Sequence, residues 1–136
     1  MSKTIPTIDK FMTTTPHSIG FDQNIGTASQ IMKEHRIRHL PVLQGAQLTG
    51  VISDRDVKLA LSLNGVDPAI TKVSEISSDE VFLVKPQARI DEAIKIMAEK
   101  KIGSILVVDN HKLVGIFTTT DALRAFTELL ETRLTH

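Results

Sequence analysis

The sequence predicts an α+β fold: two pseudo-symmetric β-α-β-β-α repeats packed sheet to sheet. Three observations carry this reading. The octapeptide Gly50-Val51-Ile52-Ser53-Asp54-Arg55-Asp56-Val57 returns as Gly115-Ile116-Phe117-Thr118-Thr119-Thr120-Asp121-Ala122. The match extends without a gap at a constant offset of 65 residues, pairing Ala28 with Ala93, Met32 with Met97, Val42 with Val107 and Leu48 with Leu113, and an internal period of this kind decides the architecture. The strand segments are too apolar for a sheet with one wet face, and a unit of about 60 residues buries only about 60% of its unfolded surface, so the two repeats are expected to cover each other.

The elements follow in chain order. Residues 1–7 read as an arm. Ile8 to Met12 suggests a short helical turn, ended by Thr13-Thr14-Thr15-Pro16 because the residue before a proline avoids the helical region. His17-Ser18-Ile19 is a short strand. From Asn24 to His35 the residues Ile25, Ala28 and Met32 recur at i, i+3, i+7, the period of an amphipathic helix. Leu40 to Leu43 and Leu48 to Ile52 are strands joined by the Gly45 turn into a hairpin. A helix starting at Ser53 runs to Leu63, with Asn64-Gly65 as its stop. The second half repeats this order: a strand over Glu80–Val84, a helix marked by Ile90, Ala93, Ile94 and Met97, strands Ser104–Val108 and Leu113–Phe117 around Asp109-Asn110-His111-Lys112, and a final helix through Leu130 and Leu134. The predicted division is an arm (1–7), a first repeat (8–65), a second repeat (66–126) and an extension of the last helix (127–136).

Composition narrows the function. Sixteen basic and sixteen acidic residues cancel, against the basic excess of nucleic-acid binders. Trp and Tyr are absent, so base stacking would rest on five Phe. Without cysteine there is no disulfide, thiol nucleophile or Cys–zinc site. Met1 to Pro6 lacks the apolar run of a signal peptide, and no stretch approaches the roughly 18 apolar residues of a membrane span. The expectation is a cytoplasmic protein that binds neither nucleic acid nor membrane.

The repeated octapeptide has two readings. Ser53 with Asp56, and Thr118 with Asp121, fit a helix capping box, in which the hydroxyl accepts from a first-turn amide and the acid reaches back. They also fit a nucleotide site, since amides at a helix N-terminus favour phosphate and a carboxylate accepts two hydrogen bonds from a ribose diol. Both can hold at once.

The chain resembles the CBS-domain pair, the tandem module named for cystathionine β-synthase. The resemblance rests on the Gly-apolar-apolar-[Ser/Thr]-x-x-Asp-apolar hallmark at Gly50–Val57 and Gly115–Ala122, on Arg36-Ile37-Arg38-His39-Leu40-Pro41-Val42, and on Phe11-Met12-Thr13. It covers about residues 8–126 and implies a stand-alone pair, with no attached enzyme or channel and no required cofactor. Such pairs bind AMP, ADP, ATP, S-adenosylmethionine or NAD(H) between their repeats. By resemblance, Ser53 and Asp56 hold ribose hydroxyls in one site, with Thr15, Pro16, His17, Arg38, His39 and Pro41 around the adenine and Arg55 toward a phosphate. Thr118 and Asp121 do so in the other site, with Glu80, Val81, Phe82, Gly103, Ser104 and Leu106 around the base. Thr120 stands in place of Arg55 and Gly103 in place of Arg38, so the Ser53/Asp56 site is expected to take phosphorylated ligands more tightly.

Other constellations carry less. His35 and His39 lie four apart, but the helix is expected to end between them and no third ligand is at hand, so no metal is predicted. No phosphate loop or nucleophile elbow occurs, and Asp54 and Asp56 at a helix start point apart, so no catalytic residue is predicted. Leu123, Phe126, Leu130 and Leu134 form a terminal apolar stripe, which the resemblance reads as a homodimer face. The expected function is an adenosine-nucleotide sensor acting on a partner protein. The alternative is a dimeric scaffold with vestigial clefts.

Overall fold

The computed structural model describes residues 4–133. Among these are a 3₁₀ turn at Ile8–Lys10, seven strands and five α-helices. The strands are β1 (Thr13–Thr14), β2 (Ile19–Gly20), β3 (His39–Gln44), β4 (Gln47–Ser53), β5 (Leu83–Val84), β6 (Ser104–Asp109) and β7 (Lys112–Thr118). The helices are α1 (Ile25–His35), α2 (Asp54–Leu61), α3 (Val73–Ile76), α4 (Ile90–Lys100) and α5 (Thr119–Arg133). The expected position of Leu134 on the last helix lies outside the described residues.

The chain forms two compact units. One is continuous, Pro16–Val81; the other joins the residues up to Thr15 to those from Phe82 onward. The continuous unit contains the sheet β2-β3-β4, with β2 parallel and β4 antiparallel to β3. Its core gathers Ile25, Ala28 and Met32 of α1, Leu40 and Val42 of β3, Ile52 of β4, Val57 and Ala60 of α2, and Val73 of α3. The composite unit contains the sheet β1-β7-β6-β5. Its core gathers Ile8, Ala93, Met97, Ile105, Val107 and Phe117. Burying each large apolar side chain removes its surface from water, worth about 1.5–3 kcal/mol apiece.

Compact unit and sequence repeat have different boundaries, because the entry segments cross over. Thr13 pairs with Ile116 of β7, and 65 residues on, Ser78 bridges Val51 of β4. Thr7 bridges Arg89, and Lys72 bridges Asn24. The Ile90 amide donates to the Pro6 carbonyl at 3.0 Å, and the Ile25 amide to the Thr71 carbonyl at 2.9 Å. Each of these contacts has its counterpart at the same offset. Each repeat's first residues therefore complete the sheet and core that hold the other repeat's last strand. Pro6 and Thr7, read from sequence as arm, are thereby fixed at the N-terminus of α4.

Turns and caps follow local chemistry. Asn24 caps α1 by accepting from the Thr27 amide at 2.8 Å. Arg36 and Lys101, at φ +53° and +55°, end α1 and α4 in the left-handed conformation. Asn110 and His111 both have positive φ, which suits the tight β6–β7 hairpin, whose twist needs that conformation.

Three expectations are corrected. The strand over Glu80–Val84 shrinks to Leu83–Val84. Upstream the chain turns: the Glu80 amide donates to Ser78 Oγ at 3.2 Å and the Val81 amide to the Asp79 carbonyl at 3.1 Å, so parallel pairing with β6 starts later. The strand at His17–Ile19 sits instead at Ile19–Gly20. The helix expected to reach Leu63 ends at Leu61, its last turn tightened by the Leu63 amide bonding the Ala60 carbonyl at 3.1 Å.

Candidate functional site

The antiparallel register of β3 with β4 sets Ser53 opposite His39. Ser53 ends the strand and caps α2. Its hydroxyl accepts from the Asp56 amide at 3.0 Å, and Asp56 Oδ2 accepts from the Ser53 amide at 2.9 Å. The Asp54 amide donates to the Arg38 carbonyl at 2.9 Å, fixing the loop before β3 against the start of α2. Arg38, His39, Ser53, Arg55 and Asp56 are thus gathered at one end of one hairpin. Burial pushes the His39 imidazole below its ordinary value; the Asp56 carboxylate opposes that shift and the Arg38 charge adds to it. Arg55 is exposed and makes no ion pair among the described residues. Asp54 turns away to Lys58 at 2.9 Å, so the two carboxylates diverge as their helical spacing requires.

The second box repeats this geometry. Ser104 faces Thr118 across β6 and β7. The Thr118 amide donates to Asp121 Oδ2 at 2.9 Å, and the Asp121 amide donates to Thr118 Oγ1 at 3.4 Å. The Thr119 amide reaches the Gly103 carbonyl at 3.1 Å, the counterpart of the Asp54–Arg38 bond. The capping reading of both boxes therefore holds. In addition, Thr118 Oγ1 donates to Asp121 Oδ2 at 3.1 Å, and Arg124 donates to Asp121 Oδ1 at 3.2 Å. Asp121 is only 3% exposed.

Family comparison gives this doubled geometry its place. The model of the family described as "CBS domain" matches residues 8–63 and again 73–128. The chain belongs to the CBS-domain family. Among CBS-domain relatives, it is 32% identical over 111 residues to hypoxic response protein 1 of Mycobacterium tuberculosis, covering 81% of this chain and 78% of that one. The CBS-domain-containing protein YhcV of Bacillus subtilis is 34% identical over 110 residues, with the same coverage. Among solved structures, the CBS domain pair of protein MJ0100, in complex with 5′-methylthioadenosine and S-adenosyl-L-methionine, superposes with a TM-score of 0.84. It has 26% identity, over 92% of this chain and 98% of that one. CBSX2 in complex with AMP gives 0.75 at 25% identity, over 90% and 97%.

The remaining residues expected at a CBS ligand site divide between the two units. Pro16, His17, Pro41, Glu80 and Val81 belong to the continuous unit; Thr15, Phe82, Gly103, Ser104, Leu106 and Thr120 belong to the composite one. Pro41 is buried in β3 opposite Val51. Its counterpart Leu106 donates its amide to the Phe82 carbonyl at 2.9 Å. Proline has no N–H to give, so the first repeat lacks this bond to the His17 carbonyl. Thr15 holds φ at +46°, an outlier for a β-branched residue, while its amide stays bonded to the Val114 carbonyl at 3.3 Å.

Sequence reading missed two contacts. His17 stacks on His35, ring centroids 3.7 Å apart and planes 16° from parallel. The helix ends between His35 and His39, as expected, since α1 stops at His35. Arg124 was also overlooked, although its i+3 spacing from Asp121 on a helix places the two side chains together. Among the described residues, no three His, Asp or Glu side chains gather to hold a metal, and no helix is long and apolar enough to cross a membrane.

Proposed function

We propose that this CBS pair is a regulatory module that senses an adenosine compound, such as AMP, ADP, ATP, S-adenosylmethionine or NAD(H), and passes the signal to a partner protein. The observation that carries this reading is the Ser53/Asp56 box. It combines a half-buried carboxylate, with Oδ1 unbonded among the described residues, a hydroxyl, an exposed Arg55 and the first-turn amides of α2. A ribose diol fits the carboxylate, and a phosphate fits the arginine and the helix start. The adenosine ligands of the MJ0100 and CBSX2 structures support the ligand class. The segments 8–65 and 66–126 are taken as the repeats; of the proposed extension 127–136, residues 134–136 lie outside the described residues.

Signalling requires that ligand bind two states of the module unequally. We assign the second state to a homodimer. The α5 side chains Leu123, Phe126 and Leu130 are 62%, 55% and 38% exposed, and their i, i+3, i+7 spacing makes one apolar stripe. Light scattering at micromolar concentration is expected to give twice the chain mass of 15.0 kDa; a monomer removes the dimer.

Thermal unfolding against AMP, ADP, ATP, S-adenosylmethionine, NAD and NADH tests the sensor. A ligand at about 100 times its dissociation constant adds about 2.7 kcal/mol. Silence from all six leaves a scaffold, whose boxes are caps and nothing more.

A further inference from the structure

The two boxes differ most in what their carboxylates already hold. Asp56 uses Oδ2 for the Ser53 amide, and its Oδ1 has no hydrogen-bond partner among the described residues. Asp121 uses Oδ2 for both the amide and the hydroxyl of Thr118, and Oδ1 for Arg124. The hydroxyl proton of Thr118 is thereby directed inward, while Ser53 Oγ serves its box as acceptor only. The residue 65 positions before Arg124 is Leu59, which has no donor. A vicinal diol donates to a carboxylate through the same oxygen sites. At Asp121 it would have to displace a charge-assisted contact from a group tethered one helical turn away, whose effective concentration is high. The Arg124 side chain is 65% exposed while that of Asp121 is 4% exposed, so the contact joins a buried carboxylate to an arginine that stays within reach of solvent.

We infer that Arg124 is a specificity-determining residue that occupies Asp121 in place of a ribose, so that the second box is closed to nucleosides and the Ser53/Asp56 box is the one that binds. The inference rests on the adenosine-binding reading above and assigns its stoichiometry.

Calorimetric titration of the full chain with adenosine and, separately, with AMP tests it. Adenosine lacks the phosphate and so isolates the diol. The wild type is expected to bind one equivalent per chain. Arg124→Leu, which places at this exposed position the residue the first repeat carries, is expected to bind two equivalents of either compound, but not of 2′-deoxyadenosine at the new site. The reciprocal Leu59→Arg, also at an exposed position, is expected to weaken the remaining site about tenfold, the effect of one charge-assisted hydrogen bond. Two equivalents in the wild type, or one in Arg124→Leu, overturns the inference and leaves the nucleotide reading standing. Loss of AMP binding in Arg124→Leu with adenosine binding kept makes Arg124 a phosphate contact and also overturns it. No heat with any variant removes the nucleotide reading, and the inference with it.

Discussion

Val73 is wholly buried in the core shared by α1, β3 and α2, and Ile8, 65 residues before it, is wholly buried in the core shared by α4, β6 and β7. Each entry segment is a structural part of the unit that its own repeat does not build. Ile8→Ala is therefore expected to cost about 2–5 kcal/mol, as for a core isoleucine, although the residue lies in a 3₁₀ turn near the chain start. Urea denaturation measures it; a loss below about 0.5 kcal/mol, the ordinary range of surface substitutions, would show that the turn is not anchored.

The same crossover explains Gly50 and Gly115. A Cβ on Gly50 would lie 2.6 Å from the Ser78 carbonyl oxygen, which is backbone and part of the Val51–Ser78 bridge. A Cβ on Gly115 would run into the Met12 side chain, which is flexible. Gly50→Ala is expected to destabilise more than Gly115→Ala. Adding Met12→Ala should relieve part of the Gly115→Ala cost and do nothing for Gly50→Ala. Equal costs, or no coupling in the Met12/Gly115 double-mutant cycle, would contradict the close approach.

Both boxes cap helices, but only one is read as binding. Ser53→Ala and Thr118→Ala should each lose about 1 kcal/mol of stability. The thermal shift given by AMP should disappear in Ser53→Ala and Asp56→Ala and persist in Thr118→Ala. A shift that survives Asp56→Ala and is lost in Asp121→Ala would reverse the assignment.

His39 gives stability a pH dependence of known sign. Its folded value lies below the ordinary 6.5, chiefly through burial. Between the folded value and about 6.5 the unfolded chain binds more protons, so protonation favours unfolding. The stability tied to neutral His39 is whole above about pH 6.5 and is lost as pH falls from there through the folded value. His39→Gln should flatten this window relative to wild type, and parallel profiles of the two proteins would rule it out. Arg38 and Asp56 act on the same imidazole from opposite directions, so Asp56→Ala should leave the onset near pH 6.5 and extend the loss to lower pH, making it larger.

Most of this was legible because it is written in local periodicity. The α1 face of Ile25, Ala28 and Met32 and the apolar run of β6 declare themselves within a dozen residues. The boxes were legible because an N-cap and its partner lie three residues apart. What escaped has other causes. Val73-Ser74-Glu75-Ile76 is too short to show a helical period, so α3 was missed. Glu80 to Phe82 carry strand-like residues, yet their backbone is spent on the Ser78–Val81 turn. The pairing of Thr13 with Ile116 joins residues from the two ends of the chain, and no window of sequence contains both. The Arg124 contact follows helical spacing, but the 65-residue repeat does not point to it, because Leu59 stands at the matching position.

The crossed entry segments also set an order of assembly. Pro16–Val81 is one uninterrupted stretch and has everything its core needs once Val81 has left the ribosome. The residues from Ile5 to Thr15 are synthesised before it, yet their partners in α4, β6 and β7 are made after it. During synthesis they must wait, apolar and unpaired, while the later-made unit closes behind them. That wait is the interval in which such segments are most exposed to aggregation. The segment made before the continuous unit can be seated only after that unit is complete.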